Sequence, residues 1–409
     1  MSNVRCPRLV RSRLRYASRA VAVAASIGVS LAACSSTTGS ATTSTGSATT
    51  SKVILVGQNA IESGPAATSF PQTEGFEAYL NYINSQGGVN GYTFKSTVQD
   101  NAYQATQGVA AQTKLNAQNP FTSFIVGTTI VSAVIPSLKS RGYTGSLLGS
   151  ADGGLIQTVT SPSLEVFGVV PDYAYMVAYD AQFIMQDLKT KSFAYAYEDD
   201  SLTTGATKAV GPYVTENGGK IVTSVAIPDT TTNFVTLATK LQSSGAKTVL
   251  AWADTPLLAS LQKAAVQIGY NPVWVTPFFS LTSGYLSLAG SAANGTYVDG
   301  YLPPLTSNSS AVKTYSTWIA KVSPNAVQGG EIGWQSAAAF IAGFREATAG
   351  GKTPTAAGLA AGMRTINGTV GLENLNFTKL NWGSTQAAMY QVKNGKFVQV
   401  AQPSALPGT

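Results

Sequence analysis

The chain has 409 residues, 26 of them basic and 19 acidic, with two cysteines and no histidine. Without histidine, Ser-His-Asp and Cys-His catalysis and every imidazole metal site are excluded. Six arginines crowd the first 19 residues; without them 20 basic residues face 19 acidic ones, too even a balance for the cationic face that a nucleic acid requires.

Those arginines (Arg5, Arg8, Arg11, Arg13, Arg15 and Arg19) precede an apolar run of 14 residues from Ala20 to Ala33. Spanning a bilayer takes roughly 20 apolar residues. A basic segment, a short apolar segment and Leu31-Ala32-Ala33 before a cysteine therefore read as an export signal. Leu31-Ala32-Ala33-Cys34 resembles a lipobox, the bacterial lipoprotein signal in which the new N-terminal cysteine is acylated. Cys34 is the expected lipid anchor, holding the protein at the extracytoplasmic face of the cell membrane. An ordinary signal peptide or a signal anchor with a chance cysteine is the other reading. With Cys6 cleaved off and Cys34 modified, the mature fold has no disulfide and no thiol nucleophile, and its core must hold it together. Acids are few and no tight acidic metal cluster stands out. Composition thus points to binding rather than catalysis, with no catalytic residue, metal or cofactor expected.

Ser35 to Ser51 is a run of serine, threonine, alanine and glycine that cannot bury enough apolar area to fold. It reads as a flexible tether with a reach of roughly 20–25 Å. From Lys52 strands and helices alternate. Val53 to Val56 is a β-rich apolar run, followed by a helix carrying Phe76, Leu80 and Ile83 and stopped by Gly87-Gly88. Ser123 to Val126 reads as a strand, Val131 to Lys139 as a helix, Ser146 to Gly149 as a third strand. A second series follows Val166 to Val170. It has helices at 176–188, 203–216, 234–242 and 256–268 between strands at 193–197, 221–227, 248–252 and 273–275. Such alternation predicts two doubly wound, Rossmann-like α/β lobes, each a parallel sheet covered on both faces, with ligands at the carboxyl ends of the strands. The last third adds helices at 334–347 and 356–363 and a hairpin, 387–392 and 396–400, turned by Asn394-Gly395.

The order of pieces from about Lys52 to Val400 resembles a type I periplasmic binding protein of the leucine-isoleucine-valine-binding family. The likeness rests on Gly64-Pro65 after the first strand and on Ile83-Asn84-Ser85-Gln86-Gly87-Gly88-Val89-Asn90-Gly91. It also rests on Asp100-Asn101 with Gln104-Ala105, on Val126-Gly127-Thr128-Thr129, and on Thr232-Asn233-Phe234 with Leu241. The resemblance implies two lobes joined by a three-crossing hinge that close on a small ligand, with delivery to an ABC permease in the membrane. The crossings are expected near Pro171, Gly300 to Leu302 and Gly368 to Leu372. The implied organisation is a signal at 1–33, a lipidated tether at 34–51, a first lobe at 52–171 plus 302–368, a second lobe at 172–301 plus 369–402, and a tail at 403–409. The expected state is a monomer with no nucleic-acid partner.

In amino-acid-binding members of that family, first-lobe hydroxyls and backbone amides hold the ligand carboxylate. The matching loops here carry Thr128, Thr129 and Ser132, then Ser150, Ala151, Asp152 and Gly153. These residues either bind a carboxylate through hydrogen bonds or simply turn the chain. Asp152 opposes an anion unless it points away or acts as an acceptor. The family's two second-lobe tyrosines and its ammonium-binding glutamate fall at Leu202, Asp254 and Phe278. Phe278 cannot pair an ammonium as a carboxylate does; Asp254 is the replacement charge. Trp252, Phe278 and Phe279, with Phe70 and Tyr173, read as an aromatic wall, although Trp252 reads equally as strand core. Glu198-Asp199-Asp200 is either a solvated loop after a strand or a contact for a ligand cation or metal, the loop reading being favoured because metal cages usually draw ligands from several spaced positions. The expected ligand is a small organic molecule with a hydrophobic or aromatic body, held as a carboxylate. A branched-chain or other amino acid, with Asp254 in the glutamate's role, and a ligand sensor of the same fold are the alternatives.

Overall fold

The structure, a computed structural model, describes residues 52–200 and 202–408. The export signal, Cys34 and the tether lie outside those residues.

The first series is β1 (Lys52–Ala60), α1 (Pro71–Ser85), β2 (Tyr92–Asp100), α2 (Ala105–Ala117), β3 (Thr122–Val126), α3 (Thr128–Ser140), β4 (Gly145–Ser150), α4 (Gly153–Val159) and β5 (Leu164–Phe167). Its five strands are parallel in the order β2-β1-β3-β4-β5. The central strand β3 is buried along its whole length, as its unbroken run of Phe124, Ile125 and Val126 requires. Edge strand β2 has one buried residue, Phe94, in a polar sequence, and the apolar-run signal misses it.

The second series is α5 (Tyr173–Gln186), β6 (Ser192–Glu198), α6 (Thr204–Glu216), β7 (Lys220–Ile227), α7 (Phe234–Ser243), β8 (Thr248–Trp252), α8 (Thr255–Gln267), β9 (Val273–Thr276), α9 (Ser283–Ala289) and β10 (Tyr297–Gly300). The chain then adds α10 (Ser310–Val322), α11 (Glu331–Ala347), α12 (Ala356–Met363), the short hairpin β11 (Asn367–Val370) and β12 (Glu373–Asn376), and the hairpin β13 (Gln386–Lys393) and β14 (Lys396–Ala405). The second sheet runs β7-β6-β8-β9-β10-β13-β14, its first five strands parallel, with β13 antiparallel to both β10 and β14. Both sheets thus reverse their strand order beside their first strand, the topological position where ligand crevices form.

Helices α11 and α12 return to the first sheet. Phe340 and Phe344 join Phe76, Phe94 and Phe124 in one core, with Phe76 stacked on Phe124 at 4.8 Å. Gly75 and Gly333 let α1 and α11 touch: a Cβ on Gly333 would collide with the Gln72 carbonyl, and one on Gly75 with the Gly330 carbonyl. Side-chain caps start several helices, among them Asp152 on α4 and Asp172 on α5. Among the described residues no helix is long and apolar enough to cross a membrane.

Three connections join the sheets. Gly168–Asp172 leads from β5 to α5, and Tyr301–Thr306 leads from β10 toward α10. The third follows β12: hairpin β11–β12 stays on α11, with the Gln335 amide donating to the Val370 carbonyl at 2.7 Å, and the chain enters the second sheet only at Gln386. On the way it lies beside the first connection, where Gly168 N donates to the Asn381 carbonyl at 2.8 Å and Gly383 N to the Gly168 carbonyl at 3.0 Å.

Candidate functional site

Residues beyond the carboxyl ends of strands in both sheets line a narrow cleft of about 40 Å³. The first sheet's side contributes Ile61, Ala66, Ser69, Gln72, Tyr103, Gly127, Thr128 and Ser150; the second contributes Tyr173, Leu202, Asp254, Phe278 and Phe279. This volume holds only roughly two or three waters. Ser69, Gln72, Phe278 and Phe279 also line a second, larger cavity of about 340 Å³, within the size range of small-molecule sites. That cavity runs past Leu281, Thr282 and Leu286, the second connection (Tyr301 to Thr306) and Gln328 to Ile332, and reaches the β13–β14 hairpin at Tyr390, Lys396, Phe397 and Gln399. The two phenylalanine rings, 4.9 Å apart, stand between the narrow and the wide part.

The first loop is shaped by Asp100. Its carboxylate accepts from the backbone N–H of Glu62 at 3.0 Å, Ser63 at 3.2 Å and Ala102 at 2.8 Å, and from the Ser63 hydroxyl. Burial opposes its charge, but these donors outweigh it and hold its pKa below the usual value. Tyr103, at φ 56°, is turned into the cleft by the same bend. Gly127, at φ 108°, makes the corresponding bend before α3.

The loop residues singled out in the sequence divide in two. Thr128 and Ser150 line the cleft. Thr128 Oγ1 donates toward the Tyr173 hydroxyl at 3.4 Å and accepts from Asp152 N at 3.1 Å; Ser150 Oγ donates to Gln72 Oε1 at 2.6 Å. Thr129, Ser132, Ala151, Asp152 and Gly153 line neither cavity. Ser132 turns its hydroxyl back to the Thr129 carbonyl, and Ala151 is core. Thr129 donates to Asp200 Oδ2 at 2.7 Å, from the start of α3 to the loop after β6. Asp152 is an acceptor: its Oδ1 takes the N–H of Gly154 at 3.0 Å and of Tyr173 at 2.9 Å, so it ties α4 to the start of α5. Burial raises its pKa to about 7 despite the Tyr173 N–H. Gly153 has no room for a side chain, since a Cβ would lie 2.7 Å from Asp172 N and from Trp382.

On the second side, Tyr173, Leu202, Asp254, Phe278 and Phe279 line the cleft. Trp252 does not: it is fully buried, and its Nε1 donates to Asp180 Oδ2 at 2.8 Å. Its ring supports Tyr173 at 5.3 Å and Phe279 at 5.7 Å from behind. Phe70 caps α1 and lines neither cavity. Pattern reading missed Gln72, one residue into α1, and Tyr103, behind the Asp100-Asn101 pair. It also missed Tyr301, directly after β10, whose buried hydroxyl has no partner among the described residues. A position just past a strand end was the available signal for Tyr301.

The cleft is acidic. Asp254 is the one charged residue lining its narrow part. Behind it Glu198 Oε2 accepts Asp254 N at 2.7 Å, and Glu198, Asp200 and Asp229 have carboxylate oxygens within 4.8 Å of one another. Burial first, then Asp254 and Asp200, push Glu198 up to about 10; burial first, then Asp200 and Asp229, push Asp254 up to about 7. Among the described residues no lysine or arginine lines the narrow part, so it offers an anion no cation. In the wide part Glu331 is already engaged, accepting from Gly329 N at 2.5 Å and from the Gln328 amide at 3.4 Å, and Lys396 is the lining cation.

A family model described as periplasmic binding protein matches residues 53–396. Among curated proteins, a Leu/Ile/Val-binding protein homolog of Brucella melitensis is 25% identical over 203 residues, 48% of this chain and 53% of that protein. The chain thus spans about half the length of the curated relatives it matches. Among solved structures, a fatty acid ABC transporter substrate-binding protein from Thermomonospora curvata superposes with a TM-score of 0.76 at 22% identity, covering 87% of this chain and 92% of that one. A solute-binding protein of an ABC transporter from R. palustris, in complex with 4-hydroxybenzoate, gives 0.72 at 16% identity, covering 87% and 98%. The two-lobed α/β architecture expected from the sequence is the one these structures share.

Proposed function

Since the chain belongs to the periplasmic binding protein family, whose members bind solutes and are not enzymes, we propose that it is the extracytoplasmic substrate-binding protein of an ABC importer. Cys34 is its lipid anchor, the three connections are its hinge, and the ligand is a small organic molecule with an apolar body. The observation that carries the ligand assignment is the aromatic pair Phe278–Phe279, which faces both the narrow cleft and the wide apolar cavity. A body that packs on those rings loses water from both sides, and closure of the lobes on it is favoured because only the closed form contacts it with both. The Thermomonospora curvata protein, a fatty acid transporter component, and the R. palustris protein, in complex with 4-hydroxybenzoate, fit the same ligand type.

An amino-acid ligand is the second reading. Asp254 in the cleft lining, with Glu198 and Asp200 behind it, offers an ammonium a carboxylate that Phe278 does not. The name of the Brucella melitensis relative agrees with it. A thermal-shift screen of the purified protein against branched-chain amino acids, aromatic acids and alkanoic acids separates the two, since a specific binder raises apparent stability by mass action. Stabilisation by leucine or valine alone would replace the first reading with the second. Stabilisation by none of them would overturn both.

A further inference from the structure

The wide cavity has a direction. Gly300, at the carboxyl tip of β10, pairs with Ala388, whereas Lys396 pairs with Lys393 at the far turn of the β13–β14 hairpin. Five residues of β13 separate those two points, roughly 16–17 Å at the rise of a strand. The inner end is closed by Phe278 and Phe279, and the outer end carries Lys396; between them Leu281, Leu286, Pro303 and Leu305 give an apolar wall, beside Thr282, Thr306 and Glu331, whose carboxylate is held by Gly329 N and the Gln328 amide. Beyond the inner end lies Asp254, with Glu198 and Asp200 behind it.

We infer that this cavity is an acyl-chain channel: it takes a linear monocarboxylic acid with the chain lying along the hairpin face, its methyl end against Phe278 and Phe279, and its carboxylate outward at Lys396. The inference rests on the solute-binding reading and specifies its substrate class and orientation. Charge complementarity sets the direction. An anion placed inward would find no lysine or arginine among the described residues of the narrow part and would add to the cost of ionising Asp254, whereas outward it meets Lys396 in solvent, where a carboxylate keeps most of its hydration. The middle of the channel suits an alkyl chain, which needs apolar wall along its length and no partners.

The test is calorimetric titration of the full chain with the straight-chain acids from hexanoate to dodecanoate, with dodecylammonium, and with leucine and benzoate as short probes. Affinity should rise about fourfold per added methylene until the channel is filled. Leu286→Trp, which obstructs the middle, should weaken dodecanoate more than tenfold. Lys396→Glu, at an exposed turn remote from the core, should weaken dodecanoate about fivefold and strengthen dodecylammonium. Affinity independent of chain length would overturn the channel. So would an equal response of both head groups to Lys396→Glu, or wild-type dodecanoate binding by a folded Leu286→Trp protein. Binding of leucine or benzoate without any alkanoate would overturn the channel and leave the solute-binding reading standing, and binding of no probe would overturn both.

Discussion

Phe279→Ala tests the aromatic wall most directly. Phe279 is half-buried because one side of its ring faces the cavities, while the other packs on Phe278 at 4.9 Å, Trp252 at 5.7 Å and Tyr173 at 5.9 Å. Full burial of a phenylalanine side chain is worth about 1.5–3 kcal/mol. A ligand that covers the free half should therefore lose about 1–1.5 kcal/mol, close to tenfold in Kd. Fold stability should drop by about 2 kcal/mol, half of what a fully buried phenylalanine costs on truncation. Phe278→Ala is the poorer probe, because Phe278 is 8% exposed and packs on Tyr173, Tyr301 and Phe279, so folding would absorb most of the change. Titration calorimetry with the tightest ligand from the screen, beside a melting curve, separates the two effects. A Kd within twofold of wild type in a normally melting Phe279→Ala protein would take the ring out of the site.

Three other outcomes follow from the sequence and packing. Cys34→Ser should move the protein from the membrane fraction to the soluble one on fractionation of the producing cells; continued membrane association would favour a signal anchor. Burial raises Asp152, Asp254 and Glu331 to about 7 and Glu198 to about 10. Carboxyl groups whose folded pKa exceeds the unfolded value give stability that is complete below about pH 4 and lost as pH rises through 7. The melting temperature should fall between pH 5 and pH 8, and Asp254→Asn should narrow that fall; a melting temperature that climbs over this window would refute the assignment. Gly333→Ala drives a methyl into the Gln72 carbonyl and should cost about 1–3 kcal/mol in denaturant unfolding. Because Gln72 lines both cavities, ligand affinity should fall with it.

The alternating strands and helices were legible because buried parallel strands such as β3 and β8 are continuous apolar runs. Strand β2 was not, since an edge strand with only Phe94 inside carries no such run. The aromatic pair after β9 was legible as a pair at a strand end. Trp252, one strand earlier, looked equivalent, and its alternatives were settled only by the Asp180 carboxylate that claims its indole N–H. Asp152 likewise takes its role from a partner, Tyr173 N, that lies 21 residues on. The wide cavity had no sequence signature at all. It is assembled from five segments, near 68–72, 278–286, 300–306, 328–332 and 390–399, and such a surface exists only once the second connection and the hairpin are side by side.

One contact bears on closure rather than on ligand. The Thr129 hydroxyl donates to Asp200 Oδ2 at 2.7 Å, from an α3 that belongs to the first sheet to a loop that leaves the second. Thr129 lines neither cavity, so Thr129→Val removes no wall of either, yet it takes away a hydrogen bond to a carboxylate that bridges the two sheets' loops and that only a closed form could make. Such a bond is worth about 1.5–3 kcal/mol. If closure is the only coupling, ligand affinity should fall by the same factor as the closed fraction. That factor is at most roughly 10–150 for a loss of this size and approaches one where the closed form is already dominant. Small-angle scattering should then show a larger radius of gyration in the unliganded variant and the wild-type value once ligand saturates it. A variant with a larger unliganded radius that still binds ligand as tightly as wild type would break the link between closure and affinity.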